Sequence, residues 1–331
     1  MKLLKTLALG TAFALSLAAG SASAEDIRIG LVVKSLGNGF FDAANKGALE
    51  AAKEIGGVQI IYTGPTTTTA EGQIEVINSL IAQKVNAIAI SANDPDAVVP
   101  ALKKAMDRGI TVISWDSGVA EAGRQLHLNP SSNELIGKQL VNLTTAVLPE
   151  GKGDVAILSA TSTSTNQNIW IEEFKKAQAA APGINLVTVA YGDDLSDKSY
   201  REAVSILKNS PNVKVIVAPT TVGILAAAQA VEDQGLVGKV YVTGLGLPSE
   251  LAGHVKAGSI KSFAIWNPID LGYSATYLAY DLASGKYKAE PGVELPIGRV
   301  GKVKLGDDLQ GAMSDPFVYD ASNVDEFAKI F

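Results

Sequence analysis

The chain of 331 residues has no cysteine and only two histidines. Lack of cysteine excludes disulfides, thiol catalysis, cysteine-ligated zinc and a lipid-acylated amino terminus. Also absent are the Gly-x-Ser-x-Gly nucleophile elbow and the phosphate-binding loop that ends in Gly-Lys-Ser/Thr. Gly244-Leu245-Gly246 lacks the third glycine of a dinucleotide fingerprint. The two histidines, His127 in a predicted strand and His254 in a predicted helix, have no paired carboxylate or second ligand near them in sequence. They therefore read as structural or surface groups. Asp193-Asp194 and Asp307-Asp308 lack the staggered oxygen donors of a calcium loop and read as solvated loop carboxylates. No nucleophile–base pair is visible, so the chain is not expected to be an enzyme, and no cofactor or metal is expected.

Beyond the first 24 residues no run approaches the ~20 apolar residues of a spanning helix. Those first residues form a secretory signal peptide, with Lys2 and Lys5, an apolar centre over 7–19 and a small-residue site ending at Ala24. Export to the periplasm with cleavage after Ala24 is expected. Loss of the two lysines takes the formal charge from −6 to about −8. An acidic exported chain is a poor partner for nucleic acid or anionic lipid. Roughly 300 residues remain, enough for two lobes held by hydrophobic cores alone.

From residue 27 apolar runs alternate with helical periods. Strands are predicted over 27–33, 59–62, 87–91, 111–115 and 125–128, then over 155–159, 185–190, 213–217, 240–243 and 262–266. Helices of about 10–17 residues between them demand crossover connections and parallel sheets. Ten parallel strands in one sheet would be at the upper limit, and the pattern resets near 129–132. Two doubly wound α/β lobes fit better. The segment from 285 onward, with a strand-like 299–305 and a short helix over 325–330, reads as a chain that re-crosses and finishes on the second lobe.

Ligands in such sheets sit in the crevice at the carboxyl ends of the strands. Those ends carry Lys34 with Phe40 and Phe41, Asp116, Asn166 and Gln167, Pro219 and Thr221, and Trp266 with Asn267. One acid, one base, amides, hydroxyls and aromatic rings suit a polyol. Sugar hydroxyls both donate and accept, and the C–H faces of the ring lie on aromatic planes. With one acid against one lysine the site is expected to be nearly neutral, unlike a site for an anion. Hydrogen bonds to charged groups contribute ~1.5–3 kcal/mol each against ~8 kcal/mol for a micromolar complex, so a few suffice.

Several motifs in order carry a resemblance. They are Lys34 with Gly39-Phe40-Phe41, Tyr62-Thr63-Gly64-Pro65-Thr66, Ser91-Ala92-Asn93-Asp94-Pro95-Asp96 and Ser114-Trp115-Asp116-Ser117. Further along come Asn166-Gln167-Asn168-x-Trp170, Ala218-Pro219-Thr220-Thr221-Val222-Gly223 and Trp266-Asn267-Pro268. Along nearly its whole length the chain resembles the periplasmic sugar-binding components of ABC importers of the ribose-binding type, and most of all their rhamnose- and autoinducer-2-binding branch. The resemblance implies two Rossmann-like lobes joined by three crossings and closing by a hinge. It implies a first lobe of 25–129 plus 267–291 and a second of 130–266 plus 292–331. It also implies a monomer that delivers its sugar to a membrane permease with an ATPase. The same closed form could engage a chemoreceptor or sensor kinase. Carried over position by position, the ligand contacts are Lys34, Phe41, Asp116, Gln167, Pro219 and Trp266. Autoinducer-2 receptors carry an aspartate at position 166, an alanine at 221 and an acid at 267. Asn166, Thr221 and Asn267 make L-rhamnose the first choice, with autoinducer-2 or another pentose, deoxy sugar or polyol as the alternative.

Overall fold

The computed structural model describes residues 26–331, and the expected signal peptide at 1–24 lies outside them. The chain opens with β1 (Ile27–Val32), α1 (Gly39–Ile55), β2 (Val58–Thr63), α2 (Ala70–Ala82), β3 (Ala87–Ile90), α3 (Val99–Met106), β4 (Thr111–Trp115) and β5 (Leu126–Asn129). It continues with α4 (Asn133–Val147), β6 (Gly153–Ser159), α5 (Thr165–Gln178), β7 (Ile184–Tyr191), α6 (Ser196–Asn209) and β8 (Val213–Ala218). Then follow α7 (Thr221–Asp233), β9 (Tyr241–Gly244), α8 (Pro248–Ala257), β10 (Ser262–Ile265) and α9 (Pro268–Ala283). The last part is short: β11 (Glu294–Pro296), β12 (Lys302–Lys304), β13 (Gln310–Ala312), β14 (Phe317–Asp320) and α10 (Val324–Phe327).

Strands such as β3, buried along all four residues, have apolar side chains on both faces because helices cover both. They assemble into two α/β sheets, as the alternation requires. The first has the order β13-β5-β4-β3-β1-β2, every pair parallel. The second has β7-β6-β8-β9, also parallel. Parallel bridges from Val242 to Ile260 and from Leu245 to Ala264 tie its last strand to β10, which pairs antiparallel with β14. The chain passes between the sheets after β5, after β10 and after β13.

Helix α9 crosses back over α1 at two glycines. A Cβ on Gly47 would stand 1.7 Å from the carbonyl oxygen of Ile269, and one on Gly272 would stand 1.9 Å from that of Ala44. Only glycine lets these backbones approach so closely, and this contact fixes the first turn of α1 relative to the crossing at 266–268.

Some boundaries differ from the sequence pattern, which starts the third helix at Pro95 and the ninth at Leu271, for local reasons. Helix α3 starts at Val99, not at 95, because Asp94 Oδ1 accepts from the N–H groups of Asp96 and Ala97 and makes an Asx turn first. Helix α9 starts three residues earlier than predicted, at Pro268. The segment expected to finish on the second lobe from 292 onward instead stays with the first sheet until Ala312. There β13 adds to β5, and a buried arginine, Arg124, held in its own loop by its Nε bond to Val119 O at 2.9 Å, pins the loop before β13 by donating from Nη1 and Nη2 to Asp308 O at 3.3 Å and from Nη1 to Leu309 O at 3.4 Å. Strands of three residues carry no legible alternation, which is why the sequence pattern caught β12 within 299–305 but missed β11 and β13.

Candidate functional site

The two lobes meet at the carboxyl ends of their strands. From the first lobe, β1 delivers Lys34, the first turn of α1 delivers Phe40 and Phe41, and β4 delivers Asp116. From the second, the start of α5 delivers Asn166 and Gln167, the loop after β7 delivers Asp194, and β8 leads to Pro219, Thr220 and Thr221. The crossing after β10 brings Ile265 and Trp266. All of these line one cavity with about 380 Å³ of atom-free space.

One wall is aromatic. Trp115, Phe41, Phe40, Trp266 and Trp170 form a chain of edge-on contacts that runs from the first lobe to the second. Ring centroids are 5.9, 5.3, 6.2 and 5.5 Å apart in that order. Edge-to-face geometry at such spacings is favourable beyond the area it buries. The indole N–H of Trp170 donates to Asn133 Oδ1 at 2.9 Å, whereas that of Trp266 is buried with no hydrogen-bond partner among the described residues.

The other wall is polar and spans the lobes. Lys34 Nζ donates to Ser164 Oγ at 2.7 Å and to Asn166 Oδ1 at 3.0 Å. The Asn166 amide in turn donates to Asp116 Oδ1 at 3.0 Å, and Ser91 Oγ donates to Asp116 Oδ2 at 2.7 Å. Gln167 Oε1 accepts from Ser159 Oγ and from the Ala160 N–H, which leaves its amide nitrogen as the free donor. Three hydroxyls reach across the cleft to backbone carbonyls: Thr163 to Asn93 O, Thr165 to Gly118 O and Thr68 to Asp193 O. Asp116 has φ +57°, in the left-handed region that aspartate tolerates better than most residues. Strain of this kind persists where the surroundings over-determine it.

Burial pushes the Asp116 carboxyl above its ordinary value, against the pull of the Lys34 charge and the Ser91 hydroxyl, and the nearby Asp194 pushes it further up. Asp194 is likewise raised by burial and held back by Lys34 and the Thr220 hydroxyl. Two carboxyls therefore face one ammonium, a more acidic site than one acid and one base would make.

Asp194 corrects the expectation that Asp193-Asp194 is a solvated pair. Asp193 pairs with Lys198 at 2.5 Å on the outside, while Asp194 turns in and accepts from Thr220 Oγ1. Both aspartates have left-handed φ, 56° and 52°, and this tight turn drives the second side chain inward. Its place after the strand end of β7, matching that of Asp116 after β4, is the signal that could have singled it out. Asn38, Trp170, Thr220, Leu245 and Ile265 also line the cavity without having been nominated.

Asn267 does not line it. Its Oδ1 accepts from the N–H groups of Ile269 and Asp270 and caps α9, and its amide donates to Asp270 Oδ2 at 2.9 Å. Asn267→Ala should therefore lower stability by about 1 kcal/mol, the usual loss of a helix cap, and leave ligand affinity within about twofold. A calorimetric melt beside a binding titration checks this, and a large affinity loss with an unchanged melt would return Asn267 to the site.

Neither histidine touches the cavity. His254 Nδ1 lies 2.7 Å from Glu232 Oε1. His127 is buried between Ser114 Oγ and Asn129 Oδ1, and burial lowers its pKa to about 4. Because the unfolded chain takes this proton first, the stability from neutral His127 is whole above the ordinary pKa of 6.5 and is lost as pH falls towards 4. The full loss is about 3 kcal/mol at ~1.36 kcal/mol per pKa unit. His127→Gln should melt with a visibly flatter pH dependence between pH 7 and 4.5, and equal slopes would refute the assignment.

Residues 29–287, most of the chain, match the periplasmic binding protein domain. The chain belongs to the periplasmic binding protein family. Among curated members it is 31% identical to the D-ribose/D-allose-binding protein of Pseudomonas aeruginosa, over 66% of this chain and 70% of that one. It is 26% identical to the D-allose-binding periplasmic protein of Escherichia coli, over 91% and 96%. Among solved binding proteins, an ABC transporter solute-binding protein of Clostridium phytofermentas with bound L-rhamnose aligns at 37% identity and TM-score 0.89, over 92% of this chain and 99% of that one. LsrB of Clostridium saccharobutylicum in complex with AI-2 aligns at 26% identity and TM-score 0.85, over 91% and 99%.

Proposed function

We propose that this binding protein captures L-rhamnose between its lobes and hands it to the permease of an ABC importer in the inner membrane. The observation that carries the reading is the Lys34–Asn166–Asp116 chain, which crosses the cleft and offers both donors and acceptors beside an aromatic wall. A sugar hydroxyl can donate to Asp116 or Asp194 and accept from Lys34 or the Gln167 amide, while Trp266 supplies a further unpartnered donor. The ring's C–H face lies against Phe40, Phe41 and Trp266. The solved relative with bound L-rhamnose supports the choice of sugar. A monomer is part of this reading. Signal-peptide cleavage and delivery from the periplasm go with this reading, and the closed form would serve a chemoreceptor equally well.

Autoinducer-2 is the second reading, supported by the likeness to LsrB. Position 166 weighs against it. The Asn166 amide donates to Asp116, and an aspartate there would set two carboxylates 3.0 Å apart instead.

Calorimetric titration of refolded, ligand-stripped protein lacking residues 1–24 tests the proposal, with L-rhamnose, D-ribose and autoinducer-2 in parallel. One-to-one binding of L-rhamnose at micromolar or tighter affinity is expected, about 8 kcal/mol or more. All three tryptophans of the chain stand in the aromatic row, so their emission should shift in step with the heat. Heat from autoinducer-2 alone would overturn the choice of sugar, and silence from all three would overturn the sugar reading itself.

A further inference from the structure

The cleft does not end at the Asn166–Asp116 hydrogen bond. On the far side of that pair a second chamber lies, partly open to solvent and roomier than the first. Asp116 and Asn166 line both, so the bond between them is the partition. The first lobe contributes Glu121, Arg124 and Gln310 to the chamber, and the second contributes Thr165 and Ile169. The bond from Thr165 Oγ1 to Gly118 O, at 3.0 Å, joins the lobes at its wall. A molecule held there would touch both lobes.

The chamber's chemistry resembles that of a ring-binding site. Arg124 has five N–H groups, and Nη2 makes one bond, to Asp308 O, which leaves one N–H of that nitrogen over. Gln310 Oε1 accepts from Asn129 at 3.1 Å, and among the described residues its amide nitrogen donates to no protein group. Acceptors are Asp116 and Glu121, and Val119 and Ile169 give apolar surface. One guanidinium set against two carboxyls does not suit an anion. Donors, acceptors and an apolar face together suit a second neutral, hydroxyl-bearing ring.

We infer that the chamber is a second sugar subsite. The protein then takes a disaccharide or O-glycoside whose first ring fills the aromatic cavity and whose second ring or aglycone fills the chamber. The linking oxygen lies at the partition, where it accepts the Asn166 N–H that Asp116 otherwise takes. This rests on the reading of the first cavity as a sugar site, and the test separates the two.

L-Rhamnose, methyl α-L-rhamnopyranoside and an α-linked L-rhamnose disaccharide are titrated by calorimetry into the unmodified protein and into Ile169→Trp. Ile169 is 40% exposed on α5, so tryptophan can enter the chamber without disturbing the core. Expected are glycoside and disaccharide affinities within tenfold of that of rhamnose, or tighter. In Ile169→Trp the disaccharide should lose at least tenfold and rhamnose less than twofold. Rhamnose binding with silence from both glycosides would overturn the second subsite alone, as would disaccharide binding indifferent to Ile169→Trp. Silence from rhamnose as well would bring down the sugar reading of the first cavity and the subsite with it.

Discussion

Asp116→Asn is expected to weaken sugar binding by roughly a hundredfold or more while moving the ligand-free melt by only a few degrees. The carboxylate is nearly inaccessible and is already held by Ser91 and Asn166, so it meets the ligand with fixed geometry. Each hydrogen bond from a neutral donor to a buried charge contributes ~1.5–3 kcal/mol, and two such bonds correspond to two to four decades of affinity. Asparagine keeps the volume and tolerates the φ of +57° required here, which is why it separates function from folding better than alanine. Titration of the variant beside its thermal melt decides the matter. Retained affinity removes Asp116 from the site, and a collapse of the ligand-free melt makes it structural.

Lys34→Met should have an effect of similar size by a different route. The ammonium is buried, donates to Ser164 and Asn166, and is the charge that holds down the carboxyls of Asp116 and Asp194. Methionine fills the space but leaves those two acids without a counter-charge, and an uncompensated buried charge costs on the order of several kcal/mol. The acids then answer by holding protons to higher pH. A carboxyl whose folded pKa is raised penalises the fold above that pKa, and the penalty fades as pH falls through it. Binding should therefore be lost at neutral pH. The deficit in melting temperature against the unmodified protein should shrink on the acid side of neutrality, above the ordinary carboxyl value of 3.8. A deficit constant from pH 8 to 5 would show that Lys34 acts through packing alone.

Much of this was legible because parallel sheets put function at strand ends, and strands buried on both faces are easy to see. Ile27 to Val32 and Thr111 to Trp115 announce themselves, and Lys34 and Asp116 follow from where those strands stop. Asn267 misled because a polar residue at a strand end before proline serves equally as a ligand donor or a helix cap, and only three dimensions show which N–H groups it meets. Asp194 was hidden by its neighbour, since two adjacent aspartates look solvated until a pair of left-handed residues turns one of them inward. Beyond the strand-like 299–305, the course of 294–312 was invisible for another reason. Its strands are too short for periodicity, and a buried arginine from a distant turn holds the loop before β13 in place.

The bonds that draw the lobes together have a consequence for the medium in which the protein works. Threonine hydroxyls reach for carbonyl oxygens, and the lysine that crosses the cleft hydrogen-bonds to a serine and an amide. Mobile ions screen exposed charge pairs over a Debye length of ~8–10 Å near physiological strength, but they have little purchase on bonds between neutral groups or inside a closed cleft. A chain expected to leave the cytoplasm thus closes by contacts that dilute and salty surroundings affect alike.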